Sequence, residues 1–326
     1  MSVYSIKHYT PYSWTQIVAL FATWQFKPLS HHFKQDTPEM LAFTFERVKA
    51  SLGNKSTAWV AMCGNKARGF ANYSFLDWDS EQLGMPAARI DHLIAHGTYQ
   101  EQQHIKTNLI EQLIADAQAQ GAWHLSVRVD SSDLSSLHVL ETAGFITVDS
   151  ILSYAMKIKC YEPPKIETDF EIRLATHEDA ETTAELARQA YKHDRFHSDP
   201  FISKERANEL HANWLRNSCS GRAADVVIIA EDESGLLGFV TCNLQRDTEK
   251  AFGQLLGTIV LVATAPNARG RGVGYATTFA ALEWFRSQGC GVVEVGTQLR
   301  NIPASRLYQK CGFSLVGSSV TLRRLF

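Results

Sequence analysis

The feature that most constrains this chain is an internal repeat. Residues 120–145, QGAWHLSVRVDSSDLSSLHVLETAGF, align without a gap to residues 288–313, QGCGVVEVGTQLRNIPASRLYQKCGF, at an offset of 168 positions. Gln120 and Gly121 fall on Gln288 and Gly289, and Gly144 and Phe145 fall on Gly312 and Phe313. Between these anchors both copies read as an alternating apolar strand, a polar loop and a short amphipathic helix. The upstream segments agree. SIKHYTPYSWTQIVAL and EIRLATHEDAETTAEL each read as strand, turn and helix. STAWVAMCGNKARGFANYSF and DVVIIAEDESGLLGFVTCNL each read as a hairpin with a glycine-containing turn. A chain of 326 residues suits two domains of ordinary size. The repeat therefore predicts a tandem duplication. Its joint is placed near residue 162, where Pro163 and Pro164 interrupt any regular element, giving domains over 1–162 and 163–326. Each half alternates strands and helices in an α/β (α+β) order around a central mixed sheet flanked by helices.

Composition narrows the partners. A net charge of −2 disfavours a dedicated nucleic-acid binder, which is usually basic. The six cysteines form no CxxC pair and are widely spaced, as expected of reduced thiols in a cytoplasmic protein. The start, MSVYSIKHYTPYSW, lacks the apolar core of a signal peptide, and no apolar run approaches the ~18 residues of a membrane span.

The second half carries the informative loop. TIVLVAT is a continuous apolar strand, APNARGRGVG a loop, and YATTFAALEWFRSQG a helix closed by Gly289. Glycines at a strand-to-helix turn let backbone approach a ligand closely. The unpaired amides of the helix start, with the helix dipole behind them, then favour a phosphate. Arg269 and Arg271 add positive charge beside Gly270, Gly272 and Gly274. A Walker loop needs Lys and Ser/Thr after its last glycine, where this chain has Tyr275 and Ala276. A dinucleotide fingerprint needs G-x-G-x-x-G, and the spacing here is G-x-G-x-G. An RGG-type RNA segment is disordered, whereas this loop joins a strand to a helix.

LVATAPNARGRGVG, followed by VVEVGTQLRN and then ASRLYQKCGF, resembles the acyl-CoA site of the GNAT superfamily of N-acetyltransferases over about residues 168–326. The resemblance implies two tandem GNAT folds and acetyl-CoA as co-substrate. It implies that Arg269 through Tyr275, including Val273, cradle the CoA pyrophosphate. It further implies that Leu261, Val262 and Ala263 pair with pantetheine, that Asn301 holds the pantetheine arm, and that Tyr308 protonates the departing thiolate. A phenol of pKa near ~10 suits a thiol near ~8.5, and a strand amide near Val262 suits the oxyanion. Read alone, Tyr308 fits better as an ordinary aromatic packed in a helix core.

The first half serves as an internal control. At the same offset Arg269 falls on Glu101, the three glycines on Gln102, His104 and Lys106, Asn301 on Asp133 and Tyr308 on Leu140. The first half is thus expected to keep the fold and to lack the CoA loop, either as a structural unit or as a wall of the acceptor pocket.

For the acceptor, residues 191–217 resemble the corresponding stretch of the TDP-fucosamine acetyltransferases, which acetylate the 4-amine of a nucleotide-linked amino sugar. Arg195, Phe196 and His197 are the implied substrate-binding residues, with Pro200, Trp214 and Asn217 sharing the pattern. His193 and Asp199 lie in the same polar stretch. Another small amine or a protein amine remains open as acceptor, as does a non-catalytic acyl-CoA-binding module. His193 and His197 are four apart, but no third ligand lies nearby in sequence, so no metal is expected. Glu294 reads as a strand-face carboxylate or a base acting through water, and Glu231 and Asp232 read as a hairpin turn. The expected partner is a small-molecule amine, with no nucleic acid or membrane, and the chain a monomer or homodimer.

Overall fold

The two copies of the repeat form the same run of elements, and each is completed by a strand from the other copy. The computed structural model describes residues 4–10, 14–53, 55–159, 161, 164 and 166–326. It divides into one compact unit of residues 1–150 with 318–326 and a second of residues 151–317.

The first unit contains β1 (Ser5–His8), α1 (Trp14–Thr23), α2 (Pro38–Ser51), β2 (Ser56–Cys63), β3 (Lys66–Phe75), α3 (Asp77–Leu83), β4 (Ala87–Ala95), α4 (Tyr99–Ala119), β5 (His124–Asp130) and α5 (Leu134–Thr142). Next in the chain come β6 (Ile146–Lys157) and then the second unit's β7 (Glu171–Leu174), α6 (Ala180–Ala190), α7 (Arg195–Ser198), α8 (Lys204–Cys219), β8 (Val226–Asp232), β9 (Gly235–Gln245), α9 (Arg246–Phe252), β10 (Leu256–Thr264), α10 (Val273–Ser287), β11 (Val292–Gln298) and α11 (Ile302–Lys310). The last strand is β12 (Ser314–Leu325).

In the first unit β1 to β5 lie side by side in chain order. All pairs are antiparallel except β4–β5, and Ser319–Leu325 of β12 close the far edge against β5. In the second unit β7 to β11 repeat that order with a parallel β10–β11 pair, and Ile151–Lys157 of β6 close the edge against β11. Both final strands follow a glycine at positive φ, Gly144 (81°) and Gly312 (94°), where the chain turns out of a helix. No single cut in the chain separates two such units, because each sheet takes its closing ladder from the distant half. Residue 162, where the sequence places one boundary, lies outside the described residues, as does Pro163.

Period-2 strands and period-3.6 helices explain the cores. In the first unit Ile105, Leu109, Ile110 and Leu113 of α4 pack on Tyr73, Leu125 and Val127 on one face. Ile17, Phe21 and Val48 of α1 and α2 pack on Val60 and Phe70 on the other. In the second unit Phe279, Leu282 and Phe285 of α10 cover Ile259, Val293 and Val295. Leu186, Ala187 and Leu215 of α6 and α8 cover Ile229 and Phe239 on the opposite face. Each such side chain contributes roughly 1.5–3 kcal/mol on burial.

One titratable group sits in the first unit's fold. His92 on β4 hydrogen-bonds Asn72 Oδ1 through Nδ1 at 2.8 Å and meets Trp24 edge-on. Burial lowers its pKa from 6.5 to about 4, with Asp91 opposing the shift. Between those values the unfolded chain binds the proton and the folded one does not, so stability rises with pH through that window. The cost of keeping His92 neutral is complete below about 4 and absent above 6.5. His92→Gln is expected to flatten the stability profile between pH 4 and 6.5, as followed by urea unfolding.

Candidate active site

The site begins where two parallel strands part. β10 and β11 are paired from Leu256–Ile259 to Val292–Val295, and the pairing stops there. Beyond that point β10 remains hydrogen-bonded to β9 through Thr264, after a register slip between Ile259 and Val262. β11 continues against β6 to Gln298. The β11-facing edge of residues 260–264 therefore has no strand partner among the described residues. The slip turns the Leu261 amide to Thr241 Oγ1 at 3.0 Å, and the Val262 carbonyl accepts a hydrogen bond from the Tyr191 phenol at 3.3 Å. Leu261 and Ala263 are buried in the sheet and Val262 is half-buried.

The glycine loop follows. A tight turn over Pro266–Ala268 leads to Arg269 in extended backbone. Gly270 and Gly272 then adopt φ of 84° and 83°, a region other residues enter only with strain. A Cβ at either position would meet no atom within 4 Å, so backbone conformation and an open approach, not packing, call for glycine. Gly274 differs. Its own conformation is helical, and a Cβ there would stand 3.3 Å from Leu307 of α11 and Thr264 of β10, so it permits close packing. Gly272 caps α10 without a side-chain hydrogen bond. The first-turn amides at Val273, Gly274 and Tyr275 thus start the helix without a side-chain cap. The Val273 side chain is core, and Tyr275 is half-buried beneath the Lys310 ammonium.

The two arginines separate. Arg271 pairs with Asp232 at 2.8 Å and Asp169 at 3.1 Å, and these partners raise its pKa. Its guanidinium is thus engaged by two carboxylates within the unit. Arg269 is exposed at the loop. Asp232 and Glu231 lie at the end of β8 and not in the hairpin turn itself, and Glu231 pairs with Arg173 at 2.5 Å.

α11 brings two further residues. Asn301 is its N-cap, with Oδ1 accepting from the Ala304 amide at 3.3 Å. Tyr308 is buried beside Tyr154 and Phe313. Its phenol has no hydrogen-bond partner among the described residues, and burial raises its pKa well above the usual value. One turn earlier the buried Ser305 hydroxyl also lacks a partner. A buried hydroxyl left unpartnered, as that of Ser305 is, is costly in a closed core and is expected where a polar ligand belongs.

The first unit shows the same place filled. The helix that begins at Val273 in one copy begins at Tyr99 in the other, so turns of α4 stand where the glycine loop would be. Thr98 and Glu101 cap α4 reciprocally, and Glu101 accepts from the Thr98 amide at 2.7 Å. The equivalent of Gly274 is Lys106, whose buried ammonium reaches Asp133 at 3.0 Å and the hydroxyls of Ser135 and Ser136 at 2.7 Å. Asp133, the equivalent of Asn301, keeps the N-cap role on α5. A side chain and a carboxylate cap thus occupy the first unit where the second offers bare backbone.

On the acceptor side, the sequence-assigned residues divide. Phe196 is buried. The Arg195 guanidinium lies 4.5 Å over its ring and is half-buried. His197 bonds Asp194 through Nδ1 at 2.6 Å and Asn208 through Nε2 at 2.8 Å, so both its nitrogens are committed. The carboxylate raises the His197 pKa against the opposing effect of burial. Asp194, His197 and His211 hold ligand-type atoms within 4.8 Å of one another. His211 is engaged through Nδ1 with the Ala207 carbonyl at 2.8 Å, which makes the group a hydrogen-bonded network. His193 is exposed and precedes α7, outside that network. Arg300, after β11, hydrogen-bonds Ser198 of α7. Glu294 is half-buried on β11. Sequence reading missed Tyr191, His211 and Asp194. Tyr191 and His211 carry no motif: Tyr191 reaches Val262 from the end of α6, and His211 of α8 meets Tyr191 by stacking in the fold.

Two alternating units that share an order of strands, a slipped central strand and a parted parallel pair define a tandem acyltransferase fold. A solved tandem GNAT protein from the clavulanic acid biosynthesis pathway superimposes with a TM-score of 0.59 at 13% identity, over 99% of this chain and 98% of that one. Residues 184–313 match the model of the Acetyltransferase (GNAT) family. The spore coat polysaccharide biosynthesis protein SpsD of Bacillus subtilis is 29% identical over 77% of this chain and 81% of its own length. The dTDP-fucosamine acetyltransferase of Escherichia coli O6:H1 is 23% identical over 61% of this chain and 81% of its own length. Residues 184–313 carry the match to the GNAT acetyltransferases, an acyltransferase family whose co-substrate is acetyl-CoA. No helix among the described residues is long and apolar enough to cross a membrane.

Proposed function

We propose that this chain transfers the acetyl group of acetyl-CoA to the primary amine of a nucleotide-linked amino sugar. The observation that carries the reading is the contrast between copies. The second unit opens an uncapped helix N-terminus beside an unpaired strand edge, whereas in the first unit, whose parallel pair parts in the same way, a capped α4 and the Lys106–Asp133 pair fill the place of the loop. The amides from Gly272 to Tyr275 and the Arg269 guanidinium take the pyrophosphate. The free edge at 261–263 and the Asn301 amide take the pantetheine arm, and the Val262 strand segment orients the thioester carbonyl. Tyr308 holds an uncommitted proton for the sulfur, and burial keeps the phenol protonated until a thiolate forms beside it. Only the second unit carries these groups, so one site per chain is expected.

The amino-sugar assignment rests on the likeness to dTDP-fucosamine acetyltransferase, on the polysaccharide synthesis named for SpsD, and on Arg195, whose half-buried guanidinium over Phe196 suits an anionic substrate. The test is release of CoA thiol with dTDP-fucosamine, glucosamine and a peptide amine as acceptors. Preference for the nucleotide sugar is expected. Faster turnover of the peptide or of free glucosamine would move the acceptor to another class, and acetyl-CoA binding without any transfer would make the chain a binding module.

A further inference from the structure

Tyr191 ends α6 and places its hydroxyl 3.3 Å from the Val262 carbonyl oxygen, to which it donates. Val262 belongs to the segment of β10 whose other edge has lost its strand partner. The Tyr308 phenol lies close enough to act electrostatically on Tyr191. The Tyr191 hydroxyl is therefore anchored on the Val262 carbonyl, in the strand segment where the parallel pair has parted. Tyr191 as a residue is half-buried. Burial and the neighbouring Tyr308 and Asp194 hold the phenol far from ionising, so it offers a neutral oxygen.

Its position is held from behind. The His211 imidazole stacks on the Tyr191 ring at 4.3 Å and 16°. His211 is itself fixed by its Nδ1 bond to the Ala207 carbonyl, and its Nε2 faces Asp194 at 3.8 Å. Asp194 in turn is held by the amides of Phe196 and His197 and by the His197 ring. The Trp214 ring lies 6.4 Å from His211 at an interplanar angle of 28°. A phenol whose own proton is spent on a backbone carbonyl retains an acceptor lone pair, and an amine approaching the thioester carbon needs an acceptor for its N–H.

We infer that Tyr191 is a second, acceptor-side catalytic residue, which receives an N–H of the incoming amine and aims the nitrogen lone pair at the thioester carbonyl, with His211 as its positioning residue. This rests on the reaction proposed above. The nitrogen forms its bond to the carbonyl carbon, the carbon–sulfur bond breaks, and the electron pair leaves with sulfur. Tyr308 gives its proton to sulfur and is recharged by the proton the nitrogen releases to water. Tyr191 keeps its own proton throughout. The two phenols thus divide the work, one serving the nucleophile and one the leaving group.

The test compares Tyr191→Phe with wild type in the thiol-release assay, together with acetyl-CoA calorimetry. Phenylalanine preserves the stack on His211 and removes the oxygen. The expected result is a rise of about tenfold or more in KM for the amine, with acetyl-CoA affinity within twofold. His211→Ala is expected to raise the same KM, and His211→Phe, which restores a stacked ring, to reverse most of that rise. Kinetic constants within twofold of wild type for Tyr191→Phe would overturn the inference. So would a joint loss of acetyl-CoA affinity and kcat at unchanged amine KM, which would mark the Val262 bond as purely structural. Absence of turnover by the wild type with every amine overturns the proposed reaction and this inference together, whereas turnover indifferent to Tyr191→Phe overturns this inference alone.

Discussion

Tyr308→Phe is expected to lower kcat by about 100-fold while acetyl-CoA affinity stays within twofold. The phenol is buried, its proton is uncommitted, and its neighbours Tyr154 and Phe313 are aromatic. Removing the oxygen leaves the ring contacts in place and deletes only the donor, so the helix and its N-cap at Asn301 are preserved. A general acid in the leaving-group step accounts for roughly 10²–10⁴ in rate, which sets the scale. The effect is also expected to shrink with acyl donors whose thiol is more acidic, since a better leaving group needs less protonation. A kcat within threefold of wild type, measured by thiol release at saturating amine, would reduce Tyr308 to a core aromatic, the reading that its helix position alone permits.

The second large effect belongs to the silent copy. Asp133→Ala is expected to destabilise the first unit by about 3–5 kcal/mol, because it strands the buried Lys106 ammonium and removes the cap of α5. Burial already pulls Lys106 below the usual lysine value, with Asp133 opposing. Ser135 and Ser136 remain as hydrogen-bond partners but carry no charge. Lys106→Met/Asp133→Asn keeps a capping side chain and buries no charge, and it is expected to recover most of the loss. Urea unfolding of the intact chain is the measurement. A single mutant within 1 kcal/mol of wild type would show that the pair does not close the groove. The double mutant is not expected to gain acetyl-CoA binding, because α4 still runs through the place of the glycine loop and Glu101 still caps it.

Much of this was visible in the residues, for identifiable reasons. The repeat survives as matched turns because a chain leaving a helix at positive φ needs glycine in both copies, at 144 and at 312. The glycine loop was visible because two of its glycines serve backbone conformation and one serves packing against Leu307 and Thr264. What could not be read locally depends on distant pairing. The exchange of closing strands has no local signal, since β6 and β12 look like ordinary alternating strands whichever sheet they join. The fate of Arg271 was hidden because Asp169 and Asp232 lie far from it in sequence. Lys106 was recognised as a lost glycine, but its pairing with Asp133 was not, although the two positions align with Gly274 and Asn301. Their contact is visible only when α4 and α5 are placed side by side.

The central claim is that one CoA site exists per chain, in the second unit, on bare backbone at Gly272. Isothermal calorimetry with acetyl-CoA on the wild type and on a Gly272→Glu/Gly274→Glu variant tests it most directly. A stoichiometry of one is expected for the wild type and no measurable binding for the variant, whose carboxylates and strained backbone at position 272 meet the phosphates at the helix start. A stoichiometry of two, or wild-type affinity in the variant, would contradict it.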